Sequence, residues 1–192
     1  VDAARQSGVM VKLHSAFIGG EEIHRLARVH LGARVYFADV GNGWPSLRLY
    51  PADRPTVFRC FGMVFRTEVT PRIVSVYHDN KGRESLQMEI PVNGRPETEI
   101  LEAIKMRFRA GVAYPFANAL RFSAIVGERF LFLRGERLEI YTDAGLEECR
   151  PVAPNEVSAA IRNYFGYDLT PSLHLFEQRT AQEAQAARLS HS

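Results

Sequence analysis

The sequence predicts an α+β fold: a largely antiparallel sheet, about three amphipathic helices and a C-terminal three-stranded meander. Three observations lead there. Short β-rich pieces recur between Gly, Pro, Asn and Asp clusters. Three segments switch to helical spacing and carry stop signals. The stretch "VGERFLFLRGERLEIY", Val126 to Tyr141, repeats Gly-Glu-Arg at the spacing of consecutive hairpin turns.

Taken in order, residues 9–18 partly alternate, with Val11, Leu13 and Phe17 on one side, and read as a strand. In "GGEEIHRLARVHLG", Ile23, Leu26, Ala27 and Leu31 share a helical face, with Glu21 and Glu22 at the positive end of the dipole and Gly32 as the stop, so the expectation is a first helix. Strand-like pieces follow at "ARVYFADV", "SLRLYP", "TVFRCFGMVFRTEV", "RIVSVYH" and "ESLQMEIP". "NGRPETEILEAIKMRFRAG" gives a second helix, with Ile100, Leu101, Ile104 and Phe108 inward, acids early and Lys105, Arg107 and Arg109 late. "PNEVSAAIRNYFG" gives a third, closed by Gly166. One domain over 1–170 is expected, with a soft boundary near 93–96. The tail over 171–192, rich in Ala and Gln, is expected as a partner-docking or frayed helix.

The 192 residues include 24 Lys and Arg against 22 Asp and Glu, a net charge of +2 that is too small to dictate a polyanionic partner. No run is long and apolar enough for a membrane span, so no membrane partner is expected. The two cysteines, Cys60 and Cys149, suit a reducing compartment, which makes an intracellular protein of the cytoplasm or an organellar matrix the expectation. No GxxxxGK[ST] or GxGxxG pattern occurs, the six histidines form no HExxH, and neither cofactor nor metal is expected. "DVGNGWP" and "HDNKG" read as turns. The segment "LRLYPADRPTV" resembles the tyrosine-proline turn of ubiquitin-conjugating and RWD-type domains over about ten residues. The histidine motif and active-site cysteine spacing of those enzymes are missing, so it reads as a Pro-rich turn between strands.

Two functional readings come from different parts of the chain. Turns at Gly127-Glu128 and Gly135-Glu136 set Val126 opposite Arg129, Arg134 opposite Arg137 and Arg121 opposite Arg134. Phe122, Ala124, Leu131, Leu133, Leu138 and Ile140 then share one face, read as core. The other face carries the row Arg121, Arg134 and Arg137, with Phe130, Phe132 and Tyr141 beside it. Like charges side by side on a sheet repel and call for an offsetting group, such as a carboxylate, an anionic ligand or a nucleic-acid backbone. Burial of this face under a helix or the C-terminal segment, with the arginines at its margin, is the alternative. The leading expectation is a non-enzymatic binding and assembly module, a subunit of a larger complex that presents the Arg/aromatic face to RNA or protein. The second reading is a hydrolase or transferase centred on His78, where a strand meets a turn, or on Cys60.

Overall fold

The computed structural model describes residues 1–107, 109 and 121–168. A short helix, α1 (Asp2–Gln6), precedes β1 (Met10–Ile18), β2 (Glu21–Leu31), β3 (Arg34–Ala38), β4 (Tyr50–Pro51), β5 (Val57–Cys60), β6 (Met63–Val69), β7 (Ile73–Asn80) and β8 (Arg83–Pro91). Helix α2 (Glu97–Arg107) follows, then β9 (Arg121–Val126), β10 (Arg129–Arg134), β11 (Arg137–Thr142), β12 (Gly145–Pro151) and α3 (Val157–Phe165).

The fold-class expectation is corrected by this architecture. Strand dominates, every pairing is antiparallel, and the first eight strands form one sheet in the order β4-β3-β2-β1-β8-β7-β6-β5. Laid flat, its two edges would stand about 34 Å apart at the usual spacing of about 4.8 Å per strand. Instead Tyr50 of β4 and Phe58 of β5 bring their rings within 6.1 Å. The sheet therefore curls back on itself, and the β1–β8 seam, where Phe17 opposite Glu89 is the one paired position, joins its two halves.

The expected first helix is strand β2. Its apolar positions fit a helical stripe, but Gly19 and Gly20 both take positive φ and close a two-residue hairpin in which Ile18 pairs with Glu21 and Met10 with His30. Once β1 is paired, the chain buries His24 and Leu26 at strand period and leaves Leu31 exposed. Tertiary pairing overrides a helical stripe that is short and ambiguous. The other two expected helices are present as α2 and α3. In α2, Ile100 is fully buried, whereas Leu101 is exposed, and Phe108 lies outside the described residues. Helix α3 ends at Gly166 in the left-handed conformation. The tail expected over 171–192 lies outside the described residues.

The C-terminal meander has the expected register, with Arg134 paired to both Arg121 and Arg137, but it contains four strands rather than three, in the order β12-β11-β10-β9. Its two faces are both covered. Leu131, Leu133, Leu138 and Ile140 pack with Val152 and with Ala160 and Ile161 of α3. Phe130, Phe132 and Tyr141 turn the other way, into the core of the curled sheet with Phe37, Phe58, Phe65 and Met88. A four-residue apolar run, Phe130 to Leu133, is what two-sided burial requires.

Candidate active site

One hairpin turn builds the site. Gly32-Ala33 closes the hairpin between β2 and β3, pairing Leu31 with Arg34 and Ala27 with Ala38. Carried one step further, that register sets Leu26 opposite Asp39, so His24, two residues along β2, shares the face of Asp39. The side chains meet there: His24 Nε2 donates to Asp39 Oδ1 at 2.8 Å, and both residues are buried. The Gly41 N–H donates to the same oxygen at 3.0 Å and holds the carboxylate from the loop side. An ionised carboxylate only accepts, so the shared proton sits on Nε2, and in the neutral imidazole Nδ1 carries the lone pair.

His24 lines a cavity of about 520 Å³. Its wall includes Asn42 and Gly43 from the loop after Asp39, Ile104 and Arg107 from α2, Arg121 and Ser123 from β9, and Phe132. Arg107 donates to the carbonyls of Ile23 at 2.7 Å and Glu22 at 3.0 Å, which fixes the end of α2 against the backbone just before His24. Arg25 also lines the cavity and donates to the His24 carbonyl at 2.8 Å. Arg25, Arg107 and Arg121 thus line the same cavity as His24.

The residues singled out in the sequence fall elsewhere, with one exception. His78 lies buried on β7, with the Trp44 ring at 4.5 Å and the Phe65 ring stacked at 5.0 Å, and its Nε2 has no hydrogen-bond partner among the described residues. Cys60 lines a different cavity of about 780 Å³ with Arg48, Arg59 and Asp143, and burial pushes its thiol pKa up. Arg134 lies over the Phe132 ring at 5.6 Å. Arg137 donates to Cys149 Sγ at 3.1 Å and pairs at 3.0 Å with Glu139, which also accepts from the Tyr141 hydroxyl at 2.8 Å. The exception is Arg121, which lines the His24 cavity. Among the described residues no group of three or more His, Cys, Asp or Glu side chains is placed to hold a metal, and no helix is long and apolar enough to cross a membrane.

Burial pushes the His78 pKa down to about 4. The folded state therefore holds His78 neutral, while the unfolded chain takes up a proton below about 6.5. Stability from this residue is complete above about pH 6.5 and is lost as pH falls toward 4, a change of about 3 kcal/mol. Denaturant melts between those pH values are expected to show that slope in the wild type and a shallower one in His78→Phe.

The sequence matches no known family's profile and no curated protein. Solved structures do match. The arylamine N-acetyltransferase of Salmonella typhimurium superposes with a TM-score of 0.71 at 14% identity, over 88% of this chain and 66% of that one. The Mycobacterium marinum enzyme in complex with CoA gives 0.70 at 15% identity, over 84% and 64%. A cysteine-to-glutamine variant of the Mycobacterium smegmatis enzyme gives 0.71 at 18% identity, over 88% and 66%. The fold is that of the arylamine N-acetyltransferases. The chain spans about two thirds of the length of these acetyltransferase structures.

The expectation of an RNA-binding subunit of a larger complex is corrected by both findings. Base stacking needs accessible rings, and Phe130, Phe132 and Tyr141 are 2%, 5% and 0% exposed. The repulsion along the arginine row is offset inside the fold, by Glu139 at Arg137 and by the Phe132 ring at Arg134. The sequence reading missed His24 and Asp39, the first inside a supposed helix and the second inside a supposed turn. The signal that finds them is the Gly32-Ala33 hairpin turn, whose register puts both residues on one face.

Proposed function

We propose that this chain supplies the general base and its orienting carboxylate for acyl transfer, moving an acetyl group from a CoA thioester to an arylamine. The buried His24–Asp39 hydrogen bond beside an arginine-lined cavity carries this reading, and the fold shared with arylamine N-acetyltransferases supports it. Of the two enzymatic alternatives read from the sequence, the transferase is favoured, with its site at His24 in place of His78 or Cys60.

With Nε2–H given to Asp39, Nδ1 of His24 is the atom that takes a proton from the attacking nucleophile. As the nucleophile bonds to the acyl carbon, its proton passes to Nδ1, and Asp39 stabilises the imidazolium that forms. The carbon–sulfur bond of the thioester then breaks, and the departing thiolate takes the proton from Nδ1. Arg25, Arg107 and Arg121 favour a donor that carries phosphates. Neither Cys60 nor Cys149, the two cysteines of the sequence, lines this cavity.

The test is acetylation of aniline from acetyl-CoA, followed by release of the CoA thiol. Transfer is expected with the wild type and is expected to vanish in His24→Ala. Wild-type protein that neither binds CoA nor transfers acetyl would end this reading, and transfer that survives His24→Ala would remove His24 as the base.

A further inference from the structure

The loop between β3 and β4 begins at Asp39, and the residues just after it pack on little: Val40 is 97% exposed, and Gly41 is exposed as well. Gly41 nevertheless lies against the base, since its N–H is given to Asp39 and a Cβ there would stand 3.4 Å from His24 Cε1. Trp44 anchors the loop. Its ring packs on Phe132 of β10 at 5.0 Å, on Phe130 at 6.4 Å and on His78 of β7 at 4.5 Å. The small sheet thus holds the anchor from one element, and His78 holds it from the curled sheet.

His78 is the polar member of this cage. It is 2% exposed, and its Nε2 meets no acceptor among the described residues. Its cross-strand partners, Phe65 on β6 and Ser85 on β8, are uncharged, as is Trp44 from the loop. Asp79, next to it on β7, is the charged group that favours its protonated form. A second proton on this ring makes a buried cation without an acceptor, and attraction to the Trp44 and Phe65 faces offsets only part of that cost. Neutral, the imidazole is a flat, uncharged surface on which an indole rests.

We propose that His78 and Trp44 are positioning residues for the His24–Asp39 pair: neutral His78 seats Trp44, seated Trp44 fixes the loop that orients Asp39, and protonation of His78 releases the loop. The effect on catalysis rests on the acyl-transfer reading. The closed cage takes up its proton only at about pH 4. With Trp44 swung out, the wetted imidazole takes it at about pH 6.5. Acid therefore favours the open loop, by about 10²-fold at pH 4 relative to pH 7, whereas above about pH 6.5 His78 contributes its full share to the closed one.

The Gly41 amide reports on the loop without any substrate, because its proton exchanges when the bond to Asp39 opens. Its hydrogen exchange, corrected for the intrinsic pH dependence, is followed by NMR from pH 7 to pH 4 in the wild type, His78→Phe and Trp44→Ala. Val76, buried on β7 between β6 and β8, gauges unfolding of the whole sheet. Wild-type protection at Gly41 is expected to lie below that at Val76 and to fall by about 10²-fold over this range, and the fall is expected to vanish in His78→Phe. Trp44→Ala is expected to lose about tenfold or more of the Gly41 protection already at pH 7, with kcat for acetyl transfer falling by a larger factor than KM for acetyl-CoA changes. Wild-type protection that is flat with pH, or equal to that of Val76 throughout, overturns the proposal, since the loop then opens only with the whole fold. A slope that persists in His78→Phe belongs to another group and overturns the role of His78. A wild type that shows the expected exchange but no acetyl transfer ends the acyl-transfer reading and leaves the coupling of His78 to Asp39 in place.

Discussion

Asp39→Asn is expected to lower acetyl transfer by about 10²-fold or more while leaving the affinity for CoA unchanged. The carboxylate accepts from His24 Nε2 at 2.8 Å and from the Gly41 N–H at 3.0 Å through the same oxygen, Oδ1. Both donors meet Oδ1, so an amide that keeps its carbonyl there retains both hydrogen bonds and removes only the charge. The imidazolium that forms as Nδ1 takes the proton then has no carboxylate to stabilise it, and proton transfer slows. Geometry survives, so the melting temperature is expected to change little, which separates this effect from unfolding. The measurement is kcat and KM for acetyl-CoA and aniline in the variant and the wild type. A rate within about tenfold of wild type would show that the Asp39 charge does not stabilise the imidazolium of the base.

Local chemistry decided which parts of this molecule were legible. The Gly127-Glu128 and Gly135-Glu136 turns fix β9, β10 and β11 without help from the rest of the chain: each Gly takes positive φ, and the observed pairings are those the turns require. Helix α2 has acids in its first turn and bases in its last, and α3 ends in a glycine cap. These signals are local and strong. By contrast, Glu21–Leu31 carries apolar residues at spacings that serve a helix or a strand, and its partner strand settles the matter. β12 was overlooked because Glu147, Glu148 and Arg150 leave it with no apolar alternation, and its burial is slight. His24 and Asp39 suffered from the first problem. Fifteen residues separate them, and only the β2–β3 hairpin converts that separation into a hydrogen bond.

The largest stability effect is expected where the two sheets meet turn to turn. Gly62 closes the β5–β6 hairpin at φ +71°, and a Cβ there would overlap the backbone N and Cα of Gly145, at the start of β12. Backbone atoms cannot rotate aside, so Gly62→Ala has to push the small sheet away from the curled one or distort the turn. Gly82, in the β7–β8 turn, provides the control: its φ is +77°, but a Cβ there would meet nothing within 4 Å. Both alanines carry the left-handed penalty of about 1–2 kcal/mol. Overpacking adds a further 1–3 kcal/mol or so at Gly62 alone, for a total of about 2–5 kcal/mol. Chemical denaturation of the two variants side by side therefore isolates the inter-sheet contact, since the backbone term is common to both. Gly62→Ala is expected to have the lower midpoint by a clear margin. Coincident midpoints would mean that the two turns do not touch in solution, and the four-stranded sheet would then be held to the curled one mainly by Phe130, Phe132 and Tyr141.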